Sequence, residues 1–417
     1  MSRLNQIALE LRELLVDQMR PFKGERVAVF LSSGTDSMCV LHALLAAKAK
    51  PRAYSFFIEG EENRFDPVVA KKTADSIGIN WTPIPLASDP TAAARKAVLG
   101  LGVKSKCDVE CGWPMAEALQ VVDEAVVVSG HAGDGHFGLT KKVMMHKDLF
   151  DVERDRCFEN PDYAQVRTLK WFAKCCGKLL FTPWTDPRII QLLRDLSWRE
   201  LNHPRQKEIA RLAFEKECTL YPPKLHSDLH AAGTGIKEMF QHITEGTRFT
   251  NPVAVYHRIN SLSLPVLVGQ APSKTSDVEK PLSARPLSTS LCQLLSCDLL
   301  TYLSSFERIN LLNAWPGSSK KGDLFPARLG AERAKELIPY FRGREVILLG
   351  RNVAKAFGLR DEFPLLRYRQ EHCCEMAVVP HPSGVNLWWN DEENKKAAAT
   401  FLKSAMESVT DKLRGGL

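Results

Sequence analysis

The run Leu31-Ser32-Ser33-Gly34-Thr35-Asp36-Ser37 constrains this chain more than any other stretch. It follows Val27-Ala28-Val29-Phe30, a strand-forming apolar run, and precedes Met38 to Leu45, which reads as a helix buried on most of its surface. Strand, small-residue loop and helix is the order that gathers free backbone N–H groups around an anion. Ser32, Ser33, Gly34 and Ser37 let phosphate oxygens approach the backbone, and the whole run from Ser32 to Ser37, Thr35 included, reads as a nucleotide-binding loop. Asp36 repels a phosphate unless a divalent cation lies between them, and a shared Mg²⁺ removes that conflict. The same residues also suit an ordinary capped strand-to-helix turn.

Further strands are expected at Arg52–Ile58, Trp81–Pro85 and Ala125–Val128, alternating with helices at Asp66–Ile77, Thr91–Leu101 and Pro114–Val122. Alternation of this kind predicts a doubly wound parallel sheet with ligands at the carboxyl ends of its strands. A second loop, Ser129-Gly130-His131-Ala132-Gly133-Asp134-Gly135-His136-Phe137-Gly138, follows the last of these strands and faces the same crevice. Gly130 and Gly133 suit close approach to a ligand, and Asp134 offers a second carboxylate for Mg²⁺. A glycine-rich turn with solvated histidines accounts for the segment equally well.

The first loop resembles the pyrophosphate loop of the N-type ATP pyrophosphatases, S-G-G-x-D-S, with Ser33 where a glycine usually stands. The Walker pattern G-x-x-x-x-G-K-[ST] is absent. The second loop resembles the S-G-E-G-x-D-E-L-F-G segment of asparagine synthetase and β-lactam synthetase, with His131 in place of the glutamate. Thr182-Pro183-Trp184-Thr185-Asp186, Arg205 to Phe214 and Ala232-Gly233-Thr234-Gly235 resemble later segments of that family in the same order: P-F-L-D, K-x-x-L-R-x-x-F and D-G-V-G. The resemblance implies ATP and Mg²⁺ as cofactors and transfer of AMP to a substrate oxygen. Counting back from the glycine turn, Ser227 falls where the family's catalytic lysine stands. Lys224, three residues away, is the expected source of that positive charge. No glutaminase domain of the asparagine synthetase kind is found in the sequence, so asparagine is not the expected product.

A chain of 417 residues has room for two or three domains. Its 44% hydrophobic and 25% charged residues are those of a globular protein, and its net charge of +7 permits nucleic-acid or nucleotide partners. No apolar run is long enough to span a bilayer and the N-terminus lacks a signal-peptide pattern, so a cytoplasmic location without a membrane partner is expected. The 11 cysteines are expected as reduced thiols, with no zinc site from Cys107/Cys111 or Cys292/Cys297.

Residues 1–245 are expected to form the nucleotide domain, 246–263 a linker and 264–417 a second, three-layer α/β/α domain. Its loops Gly269-Gln270-Ala271-Pro272, Asn313-Ala314-Trp315-Pro316 and His381-Pro382-Ser383 resemble, in order, the G-E-x-P-G, N-x-x-x-x-x-P and H-P-S motifs of the uracil-DNA glycosylase superfamily. That likeness implies base recognition by Gln270, Asn313, His381 and Ser383, with Asn313 and His381 also in catalytic roles and Trp388-Trp389 as a stacking surface. Gln270-Ala271 offers no carboxylate to direct water, which argues against ordinary base excision.

The expectation is an adenylating enzyme that modifies a nucleobase in DNA or as a nucleotide, with a small amine or amino acid as co-substrate. Lys224 and Asp134 carry its chemistry. An amide-forming ligase acting on a small carboxylate, and a non-catalytic nucleic-acid binder, remain as alternatives.

Overall fold

Five parallel strands carry the amino-terminal half: β1 (Arg26–Phe30), β2 (Lys50–Ile58), β3 (Trp81–Leu86), β4 (Val126–Ser129) and β5 (Leu179–Phe181), in the order β3-β2-β1-β4-β5. The structure, a computed structural model, describes residues 2–139, 141–160, 162–220, 233–274, 277, 279–319, 322–359, 363–382 and 386–414. Val27, Ala28 and Val29 have no solvent exposure, as a central parallel strand covered on both faces requires. Helix α1 (Arg3–Met19) starts at Ser2, whose hydroxyl accepts from the Asn5 N–H at 3.2 Å. It buries Leu11, Leu15 and Met19 in the same core as Met38, Leu41 and Leu44 of α2 (Thr35–Ala46). After β1 the chain steps to β2 and β3 on one side, whereas β4 and β5 lie on the other. The crevice at this reversal opens at the carboxyl ends of β1 and β4.

The helix expected to begin at Pro114 begins at Lys106 and runs to Val121 through that proline, following α3 (Phe65–Ile77) in our labelling as α4. Ser105 caps it, accepting from the Asp108 N–H at 3.1 Å. Proline is favoured in a first turn, which is why the sequence misleads here.

By internal contacts the chain forms two units, residues 1–94 with 103–245 and residues 95–102 with 246–417. In the second, β6 (Val266–Gly269), β7 (Glu307–Asn310), β8 (Glu345–Leu349), β9 (Leu365–Glu371) and β10 (Cys374–Val379) lie in the order β9-β10-β8-β6-β7. All are parallel except β9, which leads into β10 as a hairpin whose turn residues, His372 and Cys373, have φ of 51° and 63°. The sequence LLRYRQE of β9 gives no apolar run, so an edge strand was not expected there.

The stretch 246–263 is not an open linker. It carries a helix, Pro252–Asn260, capped by Asn251 and with Val255, Tyr256 and Ile259 buried. Two short helices follow, Leu287–Leu295 and Leu299–Ser305, broken at Ser296 with φ 54° and restarted by the Asp298 cap. Residues 95–102 pack within the second unit: Lys96 pairs with Asp298 at 3.1 Å, Arg95 donates to Ser305, and Ala97, Val98 and Leu101 are buried. No helix among the described residues is long and apolar enough to cross a membrane.

Candidate functional site

The loop after β1 is built from its own small side chains. Ser37 Oγ accepts from the Ser32 N–H at 3.2 Å, and Ser32 Oγ accepts from the Gly34 N–H at 3.1 Å. Helix α2 begins at Thr35 with Gly34 as its N-cap, and no side chain caps its leading amides. Ser33, at the position of a family glycine, is fully buried and donates its hydroxyl to Asp66 Oδ1 in the first turn of α3.

Gly130 and Gly133 bring the second loop directly against the first. A Cβ on Gly130 would lie 2.6 Å from Ser37 N, and one on Gly133 would lie 2.6 Å from Asp36 Cγ. The result is a cavity of about 140 Å³ lined by Ser32, Gly34, Asp36, Ser37, Asp66, His131, Asp134 and Lys207 among others. That is many times the ~10–15 Å³ that one water needs.

Lys207 joins the two loops. Its Nζ is 2.5 Å from Asp36 Oδ2 and 2.6 Å from Asp134 Oδ1, and the residue is 5% exposed. It sits at φ 58° just before a short helix, with its N–H donating to Asn202 Oδ1 at 3.1 Å. Burial opposes its charge, but Asp134 and Asp36 outweigh burial and hold the ammonium well above the ordinary lysine range. Burial pushes Asp36 up to about 6 against the pull of Lys207, so the carboxylate is ionised at neutral pH.

Asp36 Oδ1 is buried with no hydrogen-bond partner among the described residues. An unsatisfied carboxylate oxygen, a second carboxylate across the cavity and a cation already between them fit a site for Mg²⁺. That ion commonly takes one or two carboxylates and completes its shell with phosphate and water. Among the described residues no three His, Cys, Asp or Glu side chains form a metal cluster by themselves. Cys107 and Cys111 lie one helical turn apart with sulfurs at 3.9 Å, and all the cysteines are free thiols.

Lys224 and Ser227, like Ser383, lie outside the described residues. Lys207 is the lysine that reasoning from the glycine turn missed. Its signal was present, because Lys207 and Arg211 stand at the K and R of K-x-x-L-R.

In the second unit the loops after β6, β7 and β10 share one sheet edge. Gln270 Oε1 accepts from Asn352 Nδ2 at 3.0 Å, and Trp389 Nε1 donates to the His381 carbonyl at 2.9 Å. Trp389 therefore anchors the His381 loop, with Trp388 edge-on to it at 4.8 Å, rather than presenting a flat stacking surface. Asn313 is exposed and its Oδ1 accepts from Arg333 Nη2 at 3.0 Å. Strand β7 ends three residues earlier, at Asn310, whose Oδ1 is buried with no hydrogen-bond partner among the described residues. Asn310 also satisfies the spacing N-x-x-x-x-x-P to Pro316, which Asn313 does not.

Acid should weaken the amino-terminal unit. His42 and His136 are 4% and 0% exposed, and burial lowers each to about 4; His136 Nε2 donates to the Trp184 carbonyl at 2.7 Å. A histidine depressed in the fold stabilises it fully above its unfolded value of about 6.5 and loses that contribution as pH falls toward 4, about 3 kcal/mol each. Asp36, raised in the fold, works the other way over pH 6 to 3.8 and offsets about one histidine. The urea midpoint should therefore drop between pH 6.5 and 4, and His42→Leu should make that drop shallower. A midpoint independent of pH over this range would contradict the burial of both rings.

A family model described as asparagine synthase matches residues 10–237, more than half of the chain. No curated protein matches the sequence. Among solved structures, the U34-tRNA thiolase NcsA from Methanococcus maripaludis with its [4Fe-4S] cluster aligns at 16% identity over 61% of this chain and 88% of that one. Its TM-score of 0.27 is too low to carry an argument. With the family's segments in order and two of its loops meeting at Lys207, the chain belongs to the asparagine synthase family of ATP-dependent PP-loop enzymes.

Proposed function

We propose that this chain transfers AMP from ATP to an oxygen of a nucleobase, in DNA or as a nucleotide, releasing pyrophosphate. A small amine or amino acid then displaces the AMP. The observation that carries the reading is the bridge Asp36–Lys207–Asp134 at the reversal point of a parallel sheet. ATP with Mg²⁺ supplies the activated α-phosphorus and a neutralised leaving pyrophosphate. Asp36 and Asp134 are the residues that would hold the ion, the amides at the start of α2 would meet the phosphates, and Lys207 would offer its ammonium to the departing charge.

Base recognition is assigned to residues 264–417, read as a uracil-DNA glycosylase-like domain of three layers. Three features support it: the motif loops at one sheet edge, the unsatisfied Oδ1 of Asn310, and charge. Of the chain's 56 Lys and Arg and 49 Asp and Glu, residues 95–102 with 246–417 hold 25 and 17, so the whole positive excess resides there. Such an excess attracts a polyanion. Base excision is not part of the proposal. Gln270 is an amide bonded to another amide, and neither can accept a proton from water at neutral pH.

The test is exchange of labelled pyrophosphate into ATP by the full chain. Deoxynucleotides and oligonucleotides are offered in one series, amino acids in the other, and each series is repeated with the magnesium chelated. Exchange that depends on Mg²⁺ and on the nucleotide series is expected. Exchange driven by amino acids alone would favour an amide-forming ligase, which family membership also accommodates.

A further inference from the structure

The two carboxylates assigned to Mg²⁺ above already share a cation. Lys207 Nζ lies 2.5 Å from Asp36 Oδ2 and 2.6 Å from Asp134 Oδ1. Together the three groups carry one net negative charge, where the bare pair would carry two. Asp66 on the cavity lining and Arg211, which draws on Asp36 from the helix after Lys207, add one charge of each sign and leave that balance unaltered. His131, also on the lining, is held below the ordinary histidine value by burial and adds none at neutral pH. A divalent ion arriving by itself therefore meets half the charge of the pair, with an ammonium beside it that repels it.

The backbone of Lys207 is anchored. Its N–H donates to Asn202 Oδ1 at 3.1 Å, and Asn202 Nδ2 donates in turn to the carbonyls of Phe137 at 2.8 Å and Trp198 at 3.1 Å. Asn202 is buried, so this clamp is shielded from water. Beyond Cα the side chain is an unbranched stem ending in three rotatable donors, so the ammonium can change partners while its anchor stays. A triphosphate brings several negative charges, which give the ammonium a second anion and release carboxylate charge to the ion that the nucleotide carries. Asp36 Oδ1, buried with no hydrogen-bond partner among the described residues, is costly as it stands and suits such an ion.

We infer that Lys207 stands in for the divalent cation in the nucleotide-free protein, masking the Asp36–Asp134 pair, so that the ion is taken up with ATP and not ahead of it. The inference rests on the placement of Mg²⁺ in the adenylation reading above, and adds the order in which that site is loaded. An unmasked pair would take whichever divalent ion is abundant; the masked pair selects the nucleotide complex.

The experiment titrates Mn²⁺ alone, its free form read by electron spin resonance, into the full chain without nucleotide. Lys207→Met should bind the ion at least ~10-fold more tightly than the parent, because it presents the full charge of the pair. Lys207→Arg keeps the charge and should bind as weakly as the parent. Adding Asp36→Asn to Lys207→Met should return binding to the parent's level. Melting temperature gives a second reading that needs no variant to fold: ATP with Mg²⁺ should raise that of the parent, and Mg²⁺ alone should not. Equal Mn²⁺ binding by the parent and Lys207→Met, Lys207→Arg binding as tightly as Lys207→Met, or a parent stabilised as much by Mg²⁺ alone as by its nucleotide complex would each overturn the inference. Pyrophosphate exchange is scored separately. A parent that exchanges without the difference in Mn²⁺ binding loses only the masking, whereas a tightened Lys207→Met beside a parent that never exchanges loses only the adenylation.

Discussion

Replacing Lys207 with Met lowers pyrophosphate release by at least ~100-fold and destabilises the fold by about 3 kcal/mol, the low end for breaking a buried ion pair. Two carboxylates lose their shared cation at once, but they are not equally placed. The Asp36 side chain is 12% exposed and that of Asp134 59% exposed, so water takes over much of the second partner's needs. Asp36 also has an escape: held near 6 by burial, it can take up a proton. The urea midpoint lost in Lys207→Met should therefore be partly regained at pH 5. Adding Asp36→Asn should restore stability at pH 7 by removing the orphaned charge, and should restore no activity. A double variant as unstable as the single one would show that Lys207 supports the fold by packing rather than charge.

Gly130→Ala is the second large effect. Its Cβ would meet Ser37 N at 2.6 Å, Asp36 C at 2.7 Å and Ser37 Cα at 2.9 Å, all of them backbone. Nothing flexible is available to move, so the β4 loop must retreat from the start of α2. Overpacking of this kind costs about 1–3 kcal/mol, and displacing the two loops by about 1 Å is worth about 100-fold in rate. Gly34→Ala is the control, because its Cβ meets only Ser32 Oγ, at 3.2 Å. Melting temperature and pyrophosphate release together decide it: equal losses in the two variants would mean that the loops do not rely on close approach.

The first loop, the parallel sheet and the crevice were legible because each is local or periodic. Val27 to Ser37 declares strand, turn and helix within a dozen residues, and both key loops follow apolar runs. Lys207 was legible only through its place in the K-x-x-L-R likeness, not through any local pattern. It meets Asp36 across 171 positions of sequence, and no periodicity reports a contact of that range. Counting from the glycine turn pointed to Lys224, whereas the quoted helix match contained the lysine that actually bridges the carboxylates. In the second unit the open question is one of register between two asparagines, Asn310 and Asn313. The strand before the second motif spans Glu307–Asn310, so it ends on Asn310 rather than beside Asn313. Asn310, three residues before Asn313, keeps its Oδ1 buried, whereas Asn313 is exposed.

The segment Arg95–Gly102 leaves the first sheet's chain between β3 and α4, yet its buried face and its ion pair belong to the other unit. Gly100 is so near Leu300 that a Cβ there would lie 2.9 Å from Leu300 Cδ1. The chain therefore has no single scissile point at which its halves could be parted or exchanged like beads on a string.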